Sequence, residues 1–178
     1  MRKLIIGAVA AVALLGASAA AEAATTGSLG RTPVTDPLGS GSPNGSITLP
    51  AGHNCAFAVG IAVVANNEFQ DVSILADGTT VTKIAGKLVL RFKNDTTGKT
   101  IKENVSGPTT QTVSADGSSG TFQGEGPNWL AFGPHGQANT GEPGLVFTSG
   151  QVTVMIVNGT AQKFSLNGAQ ENGCTLLS

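Results

Sequence analysis

Two histidines are the first candidates for acid-base or metal chemistry, because histidine is the side chain whose ordinary pKa lies closest to neutral pH. His135 lies in a Gly-Pro-His-Gly sequence, within a stretch from residue 124 to residue 144 where Gly and Pro are closely spaced. Such a stretch predicts a long surface loop, which is where proteins commonly display functional groups. Glu125 and Trp129 lie in the same stretch, so these three residues are our candidate binding site. The alternative is that they are scattered, since spacing alone does not bring them together.

His53 is the second histidine, and it lies two residues before Cys55. A metal site there would need a free thiol and further ligands, which the neighbouring sequence does not supply. We therefore interpret His53 as a loop histidine. The sequence also has no phosphate-binding loop, calcium-loop spacing, CxxC pair or dinucleotide fingerprint. We expect no metal and no cofactor.

Motifs of known enzyme classes are similarly scarce. No Gly-x-Ser-x-Gly sequence is present to expose a serine nucleophile. A pair of carboxylates for glycoside hydrolysis stays open, because several acidic residues could meet in space. These residues are Asp71, Asp77, Asp95, Glu103, Asp116, Glu125 and Glu142. Asp77-Gly78 and Asp116-Gly117 are typical of turns, so we assign no catalytic residue and regard an enzyme as the less favoured class.

The sequence contains two weak indications of a ligand-binding surface. The chain has no tyrosine, one tryptophan and seven phenylalanines, so only Trp129 could stack on a sugar ring. Six of the ten basic residues fall between Lys83 and Lys102, and strand alternation would place Lys87, Arg91 and Lys93 on one face. Such a stripe could bind an anionic envelope polymer. The alternative is a solvated hairpin face whose lysines discourage edge-to-edge pairing.

The first 23 residues have the three parts of a secretory signal peptide. Arg2 and Lys3 precede an apolar run from Leu4 to Leu15, and small residues follow as far as Ala23. The apolar run is too short to span a bilayer as a helix. We therefore expect a secreted, extracellular protein with no membrane insertion after cleavage. The formal charge of −1 for the whole chain predicts no nucleic-acid partner.

Two cysteines in an exported chain most simply pair with each other, because the environment outside the cytoplasm permits oxidation. A Cys55–Cys174 disulfide would close a loop that spans most of the domain and would bring its two ends together. Two buried free thiols are the alternative.

The fold class follows from composition and periodicity. Gly is abundant, charged residues are 12% of the chain, and segments typical of long surface helices are scarce. Leu88, Leu90 and Phe92 alternate with Lys87, Val89, Arg91 and Lys93, as in a strand with one buried face. Hairpin turns are predicted at Asn94–Gly98, at Ser149-Gly150 and at Asn158-Gly159. About ten such short strands separated by turn sequences predict an antiparallel all-β sandwich of nine to eleven strands, with a closed β-barrel as the alternative. No helix is expected outside the signal.

The predicted domain organisation has three parts. Residues 1–23 are the signal peptide. Residues 24–46 are rich in Gly, Ser and Pro and lack apolar periodicity, which predicts a flexible segment. Residues 47–178 form a single β domain.

The segment Asn94–Gly117, with the sequence NDTTGKTIKENVSGPTTQTVSADG, and the closing Gly-Cys-Thr-Leu-Leu of residues 173–177 resemble small secreted proteins common in actinobacteria. Those proteins are largely uncharacterised. The resemblance implies an exported β domain with a terminal disulfide, and it assigns no catalytic residue.

Three functional hypotheses follow. The first is a secreted non-catalytic protein that binds a surface or a partner, either an envelope polymer or a protein, at or outside the cell envelope. The second is a β-barrel that holds a small apolar ligand. The third is a secreted enzyme that uses the loop from Glu125 to His135.

Overall fold

A computed structural model describes residues 27–178 of the chain, and these residues form ten antiparallel strands and two short helices. The strands are β1 (Gly27–Pro33), β2 (Ser46–Leu49), β3 (Val59–Ile74), β4 (Thr80–Asn94), β5 (Thr100–Asn104), β6 (Thr109–Val113), β7 (Ser119–Gly124), β8 (Asn128–Ala131), β9 (Leu145–Val157) and β10 (Thr160–Asn172). The helices are α1 (Pro134–Thr140) and α2 (Gly173–Leu177). The predicted signal peptide, residues 1–23, and residues 24–26 lie outside the described residues.

Two long hairpins, β3–β4 and β9–β10, are the frame of the fold. Each long strand pairs with one neighbour along one half and with another along the other half: β3 with β1 and β2, β4 with β6 and β5, and β9 with β7 and β8. The main path through the sheet is β1-β3-β4-β6-β7-β9-β10, and its two ends do not join. The predicted antiparallel all-β sandwich is therefore confirmed, and the closed barrel is not formed.

The larger core cluster lies between β4 and the first half of β9. Leu88, Leu90 and Phe92 are fully buried on the inner face of β4, as the alternation predicts. Phe92 is in edge contact with both Trp129 and Phe147, at ring-centroid distances of 5.5 and 4.8 Å. Burial of such aromatic side chains contributes a large share of core stability.

A second apolar cluster lies on the opposite face of β9. Val146, Val152 and Val154 pack there with Phe122 and Phe132. Helix α1 packs against β10 beside this cluster, and the Asn139 side-chain amide donates a hydrogen bond to the carbonyl oxygen of Ala161 at 3.1 Å. β9 is therefore buried on both faces over part of its length.

The expectation of no helix outside the signal is wrong for α1 and α2. Pro134 starts α1 at a position where its missing N–H costs nothing, and Gly141 ends the helix in the left-handed conformation. The Asn172 side chain caps α2 by accepting hydrogen bonds from the backbone N–H groups of Cys174 and Thr175. Both helices are too short to produce a periodic apolar pattern in the sequence.

Turn chemistry sets the register of the β9–β10 hairpin. Asn158 and Gly159 adopt φ values of 49° and 72°, as a type I′ turn requires. A bulge after Ala161 then places Phe164 opposite Val154. The predicted turn at Ser149-Gly150 is wrong, because β9 continues through it. Gly150 faces Gly168 on β10, and a side chain at either position would clash with the backbone of the other strand.

The segment predicted to be flexible, 24–46, contains ordered structure in its described part. β1 pairs with β3 from Pro33 opposite Phe69 to Gly27 opposite Ile74. Val34 and Leu38 are buried, with 5% and 2% of their surface exposed. Backbone pairing and two apolar anchors thus hold a segment whose own side chains show no periodicity. The folded region begins well before the predicted boundary at residue 47.

The predicted Cys55–Cys174 disulfide is confirmed. The two Cα atoms are 5.5 Å apart across a sequence separation of 119 residues. The bond ties the segment before β3 to helix α2, and so anchors the C-terminal end of the sandwich. Asn94 reinforces this closure, since its side chain donates a hydrogen bond to the carbonyl oxygen of Leu177 at 3.1 Å.

Replacing both cysteines, as Cys55→Ala with Cys174→Ala, is expected to lower the free energy of unfolding by up to about 5 kcal/mol, because the loop closed by the bond is long. Urea unfolding of the double variant measures the loss. The reduced wild-type protein is the matched control and should unfold at the same urea concentration. An unchanged midpoint in both would show that the bond does not restrict the unfolded chain.

Candidate functional site

The structure does not assemble Glu125, Trp129 and His135 into one pocket. Trp129 pairs in register with Phe147, so strand alternation directs its indole into the core, where only 1% of the residue is exposed. Its ring cannot stack on a ligand from solvent. Glu125 follows β7 and lies at an outer groove described below, whereas His135 lies in the first turn of α1 beside a separate shallow hollow.

His53 lies in the turn before the disulfide and packs against the start of α1. Its Nδ1 atom is 3.1 Å from the side-chain oxygen of Asn54. Its ring lies over Gly133, where an added Cβ atom would approach it to 2.7 Å. Cys55 is bonded to Cys174, so it offers no thiolate to a metal. Within residues 27–178, no three His, Cys, Asp or Glu side chains are grouped as a metal site would need.

Two of the carboxylates considered from the sequence have local roles in turns. The Ser114 hydroxyl and the Ser118 backbone N–H and hydroxyl donate hydrogen bonds to Asp116, which lowers the pKa of this carboxyl to about 2. Asp77 accepts a hydrogen bond from the backbone N–H of Thr79 at 2.9 Å, which also lowers its pKa. Both groups stay ionised and hold their turns, as the Asp-Gly sequences predict.

Glu103 and Glu171 form a carboxylate pair that sequence reasoning missed. Both line a cleft of about 210 Å³ at the open edge of the sandwich, between β5 and β10. Burial raises the pKa of Glu103, and the nearby Glu171 charge raises it further. Glu171 was not among the candidates, because only the tertiary fold brings β10 next to β5. Two carboxyl groups that share a cleft are the arrangement that the glycoside-hydrolase alternative requires, and Glu103 and Glu171 provide one.

Glu68 is the most perturbed carboxyl among the described residues. It lies on β3 with 4% of its surface exposed, and its Oε2 atom has no hydrogen-bond partner within residues 27–178. This burial raises the pKa of Glu68 to about 7. On the same inner face, the buried Oε1 atom of Gln70 and Oγ1 atom of Thr109 also lack partners in the described structure.

Glu68→Gln is expected to remove a pH dependence of stability. The folded state keeps the Glu68 proton up to about pH 7, whereas the unfolded chain releases it near the ordinary pKa of 4.5. Since the folded state binds more protons between these values, wild-type stability falls as pH rises through this window, by about 3 kcal/mol, and then levels off. Urea unfolding at a series of pH values from about 5 to about 8 measures the slope.

The matched control is Glu125→Gln, which removes an exposed carboxyl and is expected to keep the wild-type profile. If Glu68→Gln and wild type lose stability in parallel over the same pH range, Glu68 is not the group responsible.

The outer face of β4 and β5 forms a basic strip, defined here as Lys87, Arg91, Lys93 and Lys102. The prediction that the three β4 residues share a face is confirmed by their alternation with the buried inner residues. The structure adds Lys102, which lies directly opposite Arg91 across the β4–β5 pair. The hairpin predicted around Asn94–Gly98 was the available signal, because its register determines which β5 residue faces Arg91.

The basic strip is only partly neutralised. Lys93 forms an exposed ion pair with Asp95, with Nζ and Oδ1 3.3 Å apart. Arg91 and Lys102 form no ion pair with any described residue. On the next strand, β3, small residues lie beside the strip: Gly60 is opposite Lys93 and Ala62 is opposite Arg91. The charged side chains of the basic strip therefore project beyond these smaller neighbours and are exposed to solvent.

Further along the same outer face of β4 lies a groove without net charge, called here the outer groove. It has a volume of about 600 Å³ and crosses β4, β6, β7 and β9. Lys83, Thr110, Gln123 and Thr153 form one row across it, because each is the register partner of the next. Glu125 lies beside this row, at the end of β7.

The apolar-ligand hypothesis depended on a closed barrel, and the sheet is open. The described residues do form a small apolar hollow, which lies where the turn joins β6 to β7 and has a volume of about 150 Å³. Val113, Phe122 and Ile156 are among the residues that line it. It is too small for the ligands that barrels of this size usually enclose.

Comparison with protein-family models, with curated proteins and with solved structures finds no match to this chain. Within residues 27–178, neither helix has the length and apolar character needed to cross a membrane.

Proposed function

We propose that this chain is an exported, non-catalytic β-sandwich protein that binds an anionic polymer at the cell envelope through its basic strip. The observation that supports this proposal is the position of Arg91 directly opposite Lys102, with no described carboxylate paired to either. A negatively charged chain lying along the strip would neutralise both side chains at once.

Stability does not account for this arrangement. Like charges that face each other across two strands destabilise a sheet by up to about 1 kcal/mol relative to neutral residues. Protection against edge pairing accounts for Lys102, because β5 pairs only with β4 and is an edge strand. It does not account for Arg91, since β4 is covered by β3 on one side and by β5 on the other at this position.

Binding of this type depends on charge and is weak per contact. The whole chain has 10 basic and 11 acidic residues, so attraction to a polyanion would come from the local strip rather than from net charge. Exposed charges interact over about 8 Å at physiological ionic strength, which confines the effect to polymer segments in contact with the strip. A repeating polymer with regularly spaced anionic groups meets that requirement by engaging many protein copies along its length.

Export supports the envelope as the place of action. The first 23 residues match a secretory signal, and the Cys55–Cys174 bond suits an oxidising compartment outside the cytoplasm. The resemblance of the Asn94–Gly117 segment to small secreted actinobacterial proteins favours the same location.

Expression in a secreting bacterial host is expected to release a mature protein that begins at Ala24. Mass spectrometry of the intact protein from the culture medium measures the mass and the N-terminal residue. A variant with Leu4 to Leu15 interrupted by two charged residues is the control and should stay inside the cells. Full-length protein retained in the cell fraction of the wild type would contradict the export proposal.

Arg91→Gln is expected to weaken binding to an anionic polymer such as poly(glycerol phosphate) by about threefold to tenfold, because one of two facing cations is lost. A cosedimentation or surface-binding assay at low salt measures the affinity, and added salt should abolish wild-type binding. The variant should be as stable as wild type or slightly more stable, since the repulsion with Lys102 is relieved.

Lys163→Gln is the matched control for that experiment. Lys163 is an exposed cation on β10, outside the basic strip, so its loss changes the net charge equally. Equal weakening by both substitutions would mean that total charge, and not the strip, governs binding. No binding by wild type at low salt would overturn the proposed function.

A further inference from the structure

We infer that the outer groove is a second binding site, separate from the basic strip, and that it takes an uncharged, hydroxyl-rich glycan. The inference goes beyond the proposed function and does not depend on it, because the two surfaces differ in residues and in chemistry. The observations behind it are the groove's shape, its side chains that have hydrogen-bonding capacity to spare, and its lack of net charge.

The groove is lined by short and long side chains. Thr110 on β6 and Gln123 on β7 lie in the middle of its row, Lys83 and Ala85 lie on β4 at one side, and Gln151 and Thr153 lie on β9 at the other. The alternate residues Ile84, Thr109, Gly124 and Val152 also border it, but they belong to the opposite, buried face and can offer only backbone here. A volume of about 600 Å³ lies within the ~300–1,000 Å³ that is typical of small-molecule sites.

The polar side chains of the groove have unused hydrogen-bonding capacity. Within residues 27–178, the side chains of Thr110, Gln123, Gln151 and Thr153 form no hydrogen bond with another protein group. A threonine hydroxyl and a glutamine amide can each donate and accept. A sugar hydroxyl can do the same, so a row of such groups matches a row of sugar hydroxyls without needing a fixed charge.

The surrounding backbone excludes a peptide that adds as a strand. At the groove, β4 lies between β3 and β6, β6 between β4 and β7, and β7 between β6 and β9, while β9 is paired with β10 on its other side. All four strands therefore have their backbone groups engaged in the sheet, and strand addition requires an open edge. A ligand in the groove must be recognised by side chains.

Charge and polarity disfavour the remaining ligand classes. Lys83 and Glu125 both line the groove, and their opposite charges cancel, so neither an anion nor a cation meets a matching field. Ala85 and Pro108 offer too little apolar surface to hold a lipid or an aromatic ring. An uncharged polyol is the class that fits both the charge balance and the hydroxyl and amide lining.

Affinity is expected to be low, because no aromatic ring lines the outer groove and hydrogen bonds to solvated groups contribute modestly. Dissociation constants near about 1 mM for a short oligosaccharide are the natural range. A protein that meets many identical sugar units along one polymer gains from multivalency, so weak single sites are sufficient.

The test is an NMR titration of the 15N-labelled protein with three uncharged oligosaccharides, the tetramers of N-acetylglucosamine, of α-1,4-glucose and of β-1,4-glucose. At least one is expected to shift amide signals of residues 109–110, 123–125 and 151–153 while leaving those of β5 unmoved. The shifts should be insensitive to salt, in contrast to binding at the basic strip.

Thr110→Val and Gln123→Ala are expected to weaken this binding by about threefold to tenfold, the loss of about one hydrogen bond each. Thr121→Val is the matched control, because Thr121 lies on the same outer face one row away, opposite Met155, and borders the apolar hollow instead of the groove. Arg91→Gln is the second control, and it should leave oligosaccharide binding unchanged even where it abolishes binding of the anionic polymer.

Two results would overturn the inference. One is the absence of any localised shift with all three oligosaccharides up to about 10 mM. The other is binding that Thr110→Val and Thr121→Val weaken equally, which would place the ligand elsewhere on the outer face. Neither result affects the basic strip, so this inference and the proposed function can fail independently.

Discussion

The pairing of β4 with β3 is the constraint on which the rest of the structure depends. It extends over all 15 residues of β4, with one bulge on β3 between Val63 and Ala65. From Thr82 to Asn94, the side chains of β4 alternate between the inner and the outer face. A slip of one residue would expose Leu88, Leu90 and Phe92 and bury the cations of the basic strip. Burying unpaired charges costs far more than any local gain could offset, so this register is strongly specified. The core and the outer surfaces are two consequences of the same pairing.

The long strands pair with different short strands along their two halves, and this explains how one open sheet forms a sandwich. β3, β4 and β9 each change partner partway along, which lets the two ends of the sheet turn towards each other around Phe92, Trp129 and Phe147. The turning leaves polar groups inside, most clearly Glu68, which stands on the inner face opposite Gly86. Burial disfavours the ionised form of this carboxyl, so the stability of the protein depends on pH up to near neutrality. The disulfide joins the segment before β3 to helix α2.

The outer face of β4 joins two surfaces of different chemistry. One end has cations that face each other without described counter-ions, and the other end opens into a groove of hydroxyl and amide side chains. Because both lie on one strand, they are held at a fixed separation by backbone pairing rather than by flexible loops. A polymer with a sugar backbone and anionic substituents would present both kinds of group to such a surface. The proposed envelope location is where polymers of that composition occur.

The sequence by itself determined the features that depend on local pattern. Alternation from Lys87 to Lys93 predicted a half-buried strand and its cationic face, and Asn158-Gly159 predicted its tight turn. Two cysteines that follow a predicted signal peptide predicted their bond. The tertiary structure decided what depends on contacts between distant segments. It turned Trp129 into the core, since pairing with Phe147 and not loop composition sets its direction. It ordered the segment after Gly27 by pairing it with β3, although that segment has no apolar periodicity of its own. It also placed Lys102 opposite Arg91 and Glu171 near Glu103. It brought four strands side by side to form the outer groove. These placements depend on the register between strands, which the sequence of one strand alone does not determine.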